Sequence, residues 1–458
     1  MARPVQPQAQ HRFRTRLAGL LAATGLAAGT LVATAAPAHA ENPVTPGNFT
    51  GYGFDQCLAP TQKAMNAWLN HSPFLAVGIY ISGESRACRS QPNLTPTWVG
   101  KQLRKGWRLL PITLGPQASC SDRFPRYGHD ETINPKPGSR SKYKPARRQA
   151  RAEADEAVAT AQRLGIVKGS TLWYDLEAFD TSITHCRESA LAFLSAWTTR
   201  LHALDYVSGV YSSAGSGIKM LDDARVNRPG RFAMPDQVWI ARWSGVPGQI
   251  NDASNTYIRN DGWVPHARVH QYRGDHDETW GGVRINIDSN WLDLGRGSVA
   301  APEKHCGGVD VDMRRYRPVL PKETSEPRER VKVLQCLLSE AGKYGGKLSG
   351  VYNDRTIEAV QAWQAGHGFP VSEVWSRENW MSLHVAGARP VVKLGSAGAD
   401  VHDLQRALNA AGRARLAVDG VLGEKTDEAL RAYQRSVGIT GSGVAQRQTW
   451  KALRAGVR

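Results

Sequence analysis

Eight short runs of mostly apolar residues punctuate the first two thirds of the chain, at 51–55, 75–81, 108–114, 171–176, 207–212, 237–243, 267–272 and 284–288. Their length suits strands. Between them the apolar spacing changes to three and four, as in Met65, Trp68 and Leu69, or Val99 and Leu103. Ala150, Ala154, Ala157, Val158, Ala161 and Leu164 form a longer stripe, and Ala190, Leu191, Leu194, Trp197, Leu201 and Leu204 another. That period belongs to helices with a buried face. Strands alternating with helices predict βα units on a parallel sheet, and eight of them over roughly 250 residues fit a closed barrel. Only Arg273 to Val283 separates the last two runs, which is too short for an ordinary crossover helix. The barrel is therefore expected to be irregular at its end. The stretch from Pro116 to Lys144, rich in Pro, Arg and Ser, is a long excursion after the third strand, placed to lie over the mouth.

Beyond residue 330 the pattern is helical and repeats. Leu334-Gln335, Leu338, Gly350-Val351, Thr356, Ala359, Gln364, Trp380 and Leu383 recur as Leu404-Gln405, Leu408, Gly420-Val421, Thr426, Ala429, Gln434, Trp450 and Leu453, with a constant offset of 70 and no gap. Each copy predicts a small helical module, with Gly350 or Gly420 in a connection and Thr356 or Thr426 near a helix start. Most of the repeated positions read as core. The prolines 302, 318, 321 and 327, with polar residues between the last two, mark a connector with few apolar anchors.

The amino terminus changes the compartment. Arg12, Arg14 and Arg16 precede an apolar run from Leu17 to Ala36, and Ala38-His39-Ala40 supplies a small-x-small cleavage site, so residues 1–40 read as a general (Sec-type) signal peptide. Its removal takes the formal charge from +17 to +13. Such a surface favours polyanions, or serves solubility alone. No zinc finger, helix-turn-helix or RNA-binding signature is present, so nucleic acid is not an expected partner. No later run approaches the ~20 apolar residues of a membrane span. Six cysteines, all after residue 40, read as three disulfides in an oxidising compartment. Cys306 and Cys336 flank one module and are expected to pair, leaving three possible pairings for Cys57, Cys88, Cys120 and Cys186.

Candidate chemistry gathers at the strand ends, where barrels place their working groups. Asp55 ends the first run, Asp175 and Glu177 the fourth, Tyr211 the fifth, Arg242 and Trp243 the sixth, Gln271 and Tyr272 the seventh, and Asp288 the eighth. Asp175 and Glu177 stand two apart, which directs both to one side of a strand. Paired acids facing one cavity are the equipment for cleaving a glycosidic bond, and crowded like charges raise the proton affinity of at least one member. A salt-bridged structural cluster would carry the same residues. Trp239, Trp243, Tyr211 and Tyr272 are candidate walls for sugar rings, with Arg242 and Gln271 as polar contacts. No His-Glu-x-x-His and no C-x-x-C pair occurs, so neither a metal nor a cofactor is expected.

Gly53-Phe54-Asp55, Tyr174-Asp175-Leu176-Glu177, Trp239-Ile240-Ala241-Arg242-Trp243, His270-Gln271-Tyr272 and Ile287-Asp288, in that order, resemble the Chalaropsis-type lysozymes. They resemble more closely a family of uncharacterised glycoside-hydrolase-like domains of exported actinobacterial proteins. The resemblance implies that Glu177 is the general acid and Asp175 its partner carboxylate, with Asp55 and Asp288 shaping the field. The sequence departs from the lysozymes at His270, where they usually have Trp, and in the Pro116 to Lys144 excursion. Gly350-Val351-Tyr352 through Thr356, Ala359 and Trp363-Gln364, with its second copy, resembles the peptidoglycan-binding domain of secreted bacterial hydrolases.

The resulting expectation is an α/β protein: an irregular (β/α)8 TIM-type barrel followed by two small all-α three-helix modules. Its divisions are a signal peptide at 1–40, the barrel at 41–298, a linker and first module at 299–388, and a second module at 389–458. The expected activity is muramidase-like cleavage of peptidoglycan by a secreted, wall-associated monomer. The alternative is a wall- or glycan-binding barrel without hydrolase activity.

Overall fold

The computed structural model describes residues 42–122, 130–295, 297–321, 328–412 and 414–458. The expected signal peptide lies outside them. Eight strands, β1 (Thr50–Asp55), β2 (Ala76–Ser82), β3 (Arg108–Thr113), β4 (Thr171–Asp175), β5 (Val207–Ser213), β6 (Gln237–Ala241), β7 (Ala267–Trp280) and β8 (Val283–Leu294), close into a barrel in sequence order. The first seven run parallel. β8 is antiparallel to both β7 and β1, because a tight Gly281-Gly282 turn replaces the crossover. Both glycines have positive φ, as a two-residue hairpin of this kind requires.

Five helices cover the barrel: α1 (Gln62–His71), α2 (Pro96–Arg104), α3 (Lys144–Arg163), α4 (Thr184–Ala203) and α5 (Lys219–Asn227). Thr61 and Thr95 cap the first two through their side chains, satisfying otherwise orphaned backbone N–H groups. The alanine stripe of α3 is fully buried in the main core, as is most of the apolar face of α4. No helix follows β6 before β7 begins.

Inside the barrel, Leu110, Ile112, Trp173, Trp239, Val269 and Leu292 pack as a solid plug. Trp173 meets Trp239 edge-on at 5.6 Å, and Tyr211 meets Trp239 at 5.5 Å. Gly209 makes room for this: a Cβ there would lie 2.4 Å from the Trp173 ring. The hollow at the mouth therefore has a floor.

The tail consists of α6 (Arg328–Glu340), α7 (Asp354–His367) and α8 (Arg377–His384), then α9 (Ala399–Ala411), α10 (Glu424–Ser436) and α11 (Arg447–Arg454). Both triplets share one continuous apolar core. The connector differs from its expected polar character, since Val311, Tyr316 and Val319 are buried in that core and Val319 pairs with Trp375. Three apolar side chains sufficed to fold it against the first module.

The tail is also seated on the barrel. Lys393, buried, places its Nζ 3.3, 2.8 and 3.0 Å from the carbonyls of Trp68, Ser72 and Phe74. Burial lowers the pKa of that ammonium; acceptors at the carboxyl end of α1 offset the cost of confining it there. Ser298 Oγ donates to the Gly395 carbonyl at 2.6 Å. The disulfides are Cys57–Cys88, Cys120–Cys186 and Cys306–Cys336. The third is the expected pair, and the other two select one of the three open pairings.

Candidate active site

β1 and β4 end in acids because their inward alternation runs Gly53-Asp55 and Trp173-Asp175, with the partners of opposite parity, Phe54, Leu172 and Tyr174, in the outer core. Asp55 is buried and faces Asp288 in register across the β1/β8 ladder. Asn290 Nδ2 donates to Asp55 Oδ1 at 2.6 Å, while Asn290 Oδ1 accepts from Trp239 Nε1 at 2.7 Å. Gln271 Nε2 lies 3.3 Å from Asp55 Oδ1 and 3.2 Å from Asp288 Oδ2, so one amide bridges two acids. The Asp275 backbone N–H donates to Asp288 Oδ1 at 2.6 Å.

The fourth strand leaves the barrel under the control of the excursion. Gln117 Nε2 donates to the Asp175 carbonyl at 2.7 Å, and its Oε1 accepts from the Glu177 N–H at 2.8 Å. Tyr80 donates its hydroxyl to Asp175 Oδ2 at 3.3 Å. Asp55, Glu177, Asp275 and Asp288 line one hollow of about 290 Å³, with Tyr80 and Arg86. Asp175 is 1% exposed and is not among the residues that line the hollow; its link to them is the Tyr80 hydroxyl.

The electrostatics follow from this crowding. Burial first, and then the Asp288 charge, raise the pKa of Asp55, against the lowering hydrogen bonds from Asn290 and Gln271. Asp288 is raised too, chiefly by burial, with the Asp275 N–H opposing. The two titrate as a pair that retains a proton above the ordinary carboxylate range. Tyr211 is pushed well up by burial, then by Asp175, Glu177, Asp55 and Asp288 in that order. One phenol thus senses all four candidate acids.

The other expected contacts divide. Tyr211 and Trp243 each donate to Gln271 Oε1, at 3.1 and 3.0 Å. Trp243 is 61% exposed, and a Cβ on Gly274 would lie 2.0 Å from its ring, so the indole lies flat over that glycine as an open platform. Trp239 is buried in the barrel interior and orients Asn290 from below. Arg242 pairs with Asp252 and covers the Tyr257 ring at 5.2 Å, directing it into the β6–β7 loop. Tyr272 packs beside His270 at 6.2 Å, outside the residues that line the hollow. His270 accepts from the Gly248 N–H at 3.0 Å through Nδ1, and its Nε2 lies 2.8 Å from the Arg242 carbonyl. It therefore latches the loop that presents Trp243.

Asp288 sits at the mouth for a different reason from the expected one. It lies in the middle of β8, whose carboxyl end is at the opposite rim, and reaches Asp55 because β8 runs backwards. Asn290, Tyr80, Gln117 and Asp275 were not among the expected site residues. Asn290 alone left a signal, two positions beyond Asp288 and so on the same side of its strand.

A closed barrel with acids converging on its mouth is thus joined to a duplicated helical tail. Residues 66–292 match the Rv2525c-like, glycoside hydrolase-like domain, and residues 327–383 and 397–453 each match the peptidoglycan binding domain. Residues 66–292 thus form an Rv2525c-like glycoside-hydrolase-like domain, and two peptidoglycan-binding domains follow it. No curated protein matches it. Among solved structures it is similar to an uncharacterized B. stearothermophilus protein, with 21% identity, 53% of this chain and 95% of that one covered, and a TM-score of 0.33. The Mycobacterium tuberculosis Tat-secreted protein Rv2525c, in complex with L-tartrate, is similar at 14% identity, with 53% and 95% covered and a TM-score of 0.35. A family 25 glycosyl hydrolase from Bacillus anthracis is similar at 11% identity, with 56% and 94% covered and a TM-score of 0.31.

Proposed function

We propose that the protein is a secreted, wall-associated glycoside hydrolase that cuts peptidoglycan glycan strands in a muramidase-like reaction. The observation that carries this reading is the convergence of Asp55, Glu177 and Asp288 on one hollow, with the buried Asp175 hydrogen-bonded to Tyr80 of its lining. Glu177, on the loop leaving β4, protonates the leaving oxygen. Asp175, held by the Tyr80 hydroxyl, stabilises the oxocarbenium-like centre through its charge. Asp55 and Asp288 hold a proton between them and orient the sugar or the attacking water, with Gln271 as the hinge. Trp243 offers a flat face for a neighbouring ring. The tail keeps the barrel on its polymer, since two modest binding modules on one chain raise residence through effective concentration.

Purified protein incubated with a cell-wall suspension is expected to release new reducing ends. Glu177→Gln is expected to lower that release by about 10³-fold or more while the variant still pellets with walls. Wild-type protein that pellets yet releases nothing across pH 4 to 8 would establish a glycan-holding barrel in its place.

A further inference from the structure

A second concave surface lies on the flank of the barrel, away from the acidic mouth. Lys144, Arg147, Arg148 and Arg151 are spaced at zero, three, four and seven along the first two turns of α3, which puts them on one helix face. Arg140 and Lys142, from the turn before that helix, and Arg231, from the segment between α5 and β6, complete the walls of a groove of about 720 Å³. Six of the seven cations are exposed and Arg147 is half-buried.

Among the described residues these charges are uncompensated. Glu188 is the one acid lining the groove, and its carboxylate is occupied by Arg228 at 2.7 and 2.9 Å and by Arg187 at 3.4 Å. Among the described residues none of the seven cations makes an ion pair. Elsewhere on the barrel, cations find acids: Arg200 pairs with Asp155, Lys168 with Asp205, and Arg225 with both Asp222 and Asp261. Burial, and then the neighbouring Arg151, lower the pKa of Arg147, as expected where like charges crowd. The walls are held in place nonetheless. Tyr143, buried beneath them in the left-handed region at φ 46°, has its hydroxyl 2.9 Å from His185 Nδ1, and Arg147 Nε donates to the Lys142 carbonyl at 3.2 Å.

We propose that this groove binds an extended polymer carrying repeated oxyanions, phosphodiester or carboxylate, and so gives the protein a binding site separate from both the mouth and the tail. Guanidinium groups match such oxyanions in geometry as well as charge. The start of α3 adds its backbone dipole in the same sense. A nucleic acid fits less well, because the groove's aromatic residues, Tyr143 and Phe232, are buried and leave no flat ring on which a base can stack.

The test is direct binding of the full chain to poly(glycerol phosphate) and to polygalacturonate, with single-stranded DNA and a neutral glucan as comparisons, for wild type and for Lys144→Gln/Arg148→Gln/Arg151→Gln. These three side chains are exposed, so the variant should melt with the wild type. The proposal expects at least one polyanion to bind tightly and salt-dependently. It expects the variant to lose about tenfold or more in affinity and to show a shallower salt slope, reduced by about two. Preference for the phosphodiester or for the uronate identifies the oxyanion. Equal affinity of variant and wild type, failure of both anionic polymers, binding of the neutral glucan as tightly, or tighter binding of DNA would each overturn it. The assay reads capture and not bond cleavage, so its outcome is independent of the chemistry at the mouth.

Discussion

In the tail, Gln335 and Gln405 are buried with their polar atoms partnered, whereas at the barrel mouth a buried Asp55 lies in register with a half-buried Asp288. Gln335 donates to the Val351 carbonyl and the Thr356 hydroxyl at 2.9 and 3.0 Å and accepts from the Gly350 N–H at 3.0 Å. Gln405 repeats the network with Val421, Thr426 and Gly420 at 3.1, 3.1 and 2.9 Å. Gly350 and Gly420 both require positive φ. A polar group so completely satisfied stabilises a fold. Two carboxyls whose pKa values are raised by burial work against it, and such groups persist where chemistry needs them. The repeated polar residues of the tail are thus structural, and the converging acids of the mouth are the residues proposed to carry the chemistry.

That contrast predicts opposite responses to substitution. The largest effect is expected at Lys393, which plugs the tail into the barrel. Lys393→Ala strands three carbonyls and should cost about 3 kcal/mol or more, measurable as a fall in melting temperature and a split into separate transitions for barrel and tail. Unchanged single-transition melting would show that the tail is held by other contacts. Gln405→Ala should cost about 2 kcal/mol in denaturant unfolding and leave glycan release from short soluble substrates unaltered. A neutral effect on stability would instead assign this glutamine to ligand binding.

Much of this architecture was legible in the sequence. The first six strands lie within about two residues of their apolar runs, because buried strands must be apolar on their inward side. β7 and β8 were read too short, since Arg273, Asp275, Asp277 and Thr279 extend the hairpin into solvent, where no apolar alternation is demanded. The Gly281-Gly282 turn was the missed sign, and with it the reversed direction of β8. Asp55, Asp175 and Glu177 were legible as strand-end acids. Trp239 and Arg242 could not be sorted from Trp243 by type, because parity along β6 and the Asp252 partner decide which way each faces. Tyr80 and Gln117 act on acids distant in the chain, and no local pattern encodes that. The seating of Lys393 was invisible for the same reason.

The smallest expected effect has the most informative sign. A carboxyl whose folded pKa is raised binds more protons in the native state than in the unfolded chain, so the native state loses stability as pH climbs from the unfolded value near 4 through the raised folded value. Asp55→Asn removes that liability while keeping the shape. The unfolding free energy of wild type and Asp55→Asn, measured from pH 5 to pH 9, tests whether the mouth buries its acids at the expense of stability. The account predicts a difference that grows in favour of the variant with rising pH, reaching about 1–2 kcal/mol. A variant less stable than wild type at every pH would contradict it and make Asp55 a structural residue of the same kind as Gln405.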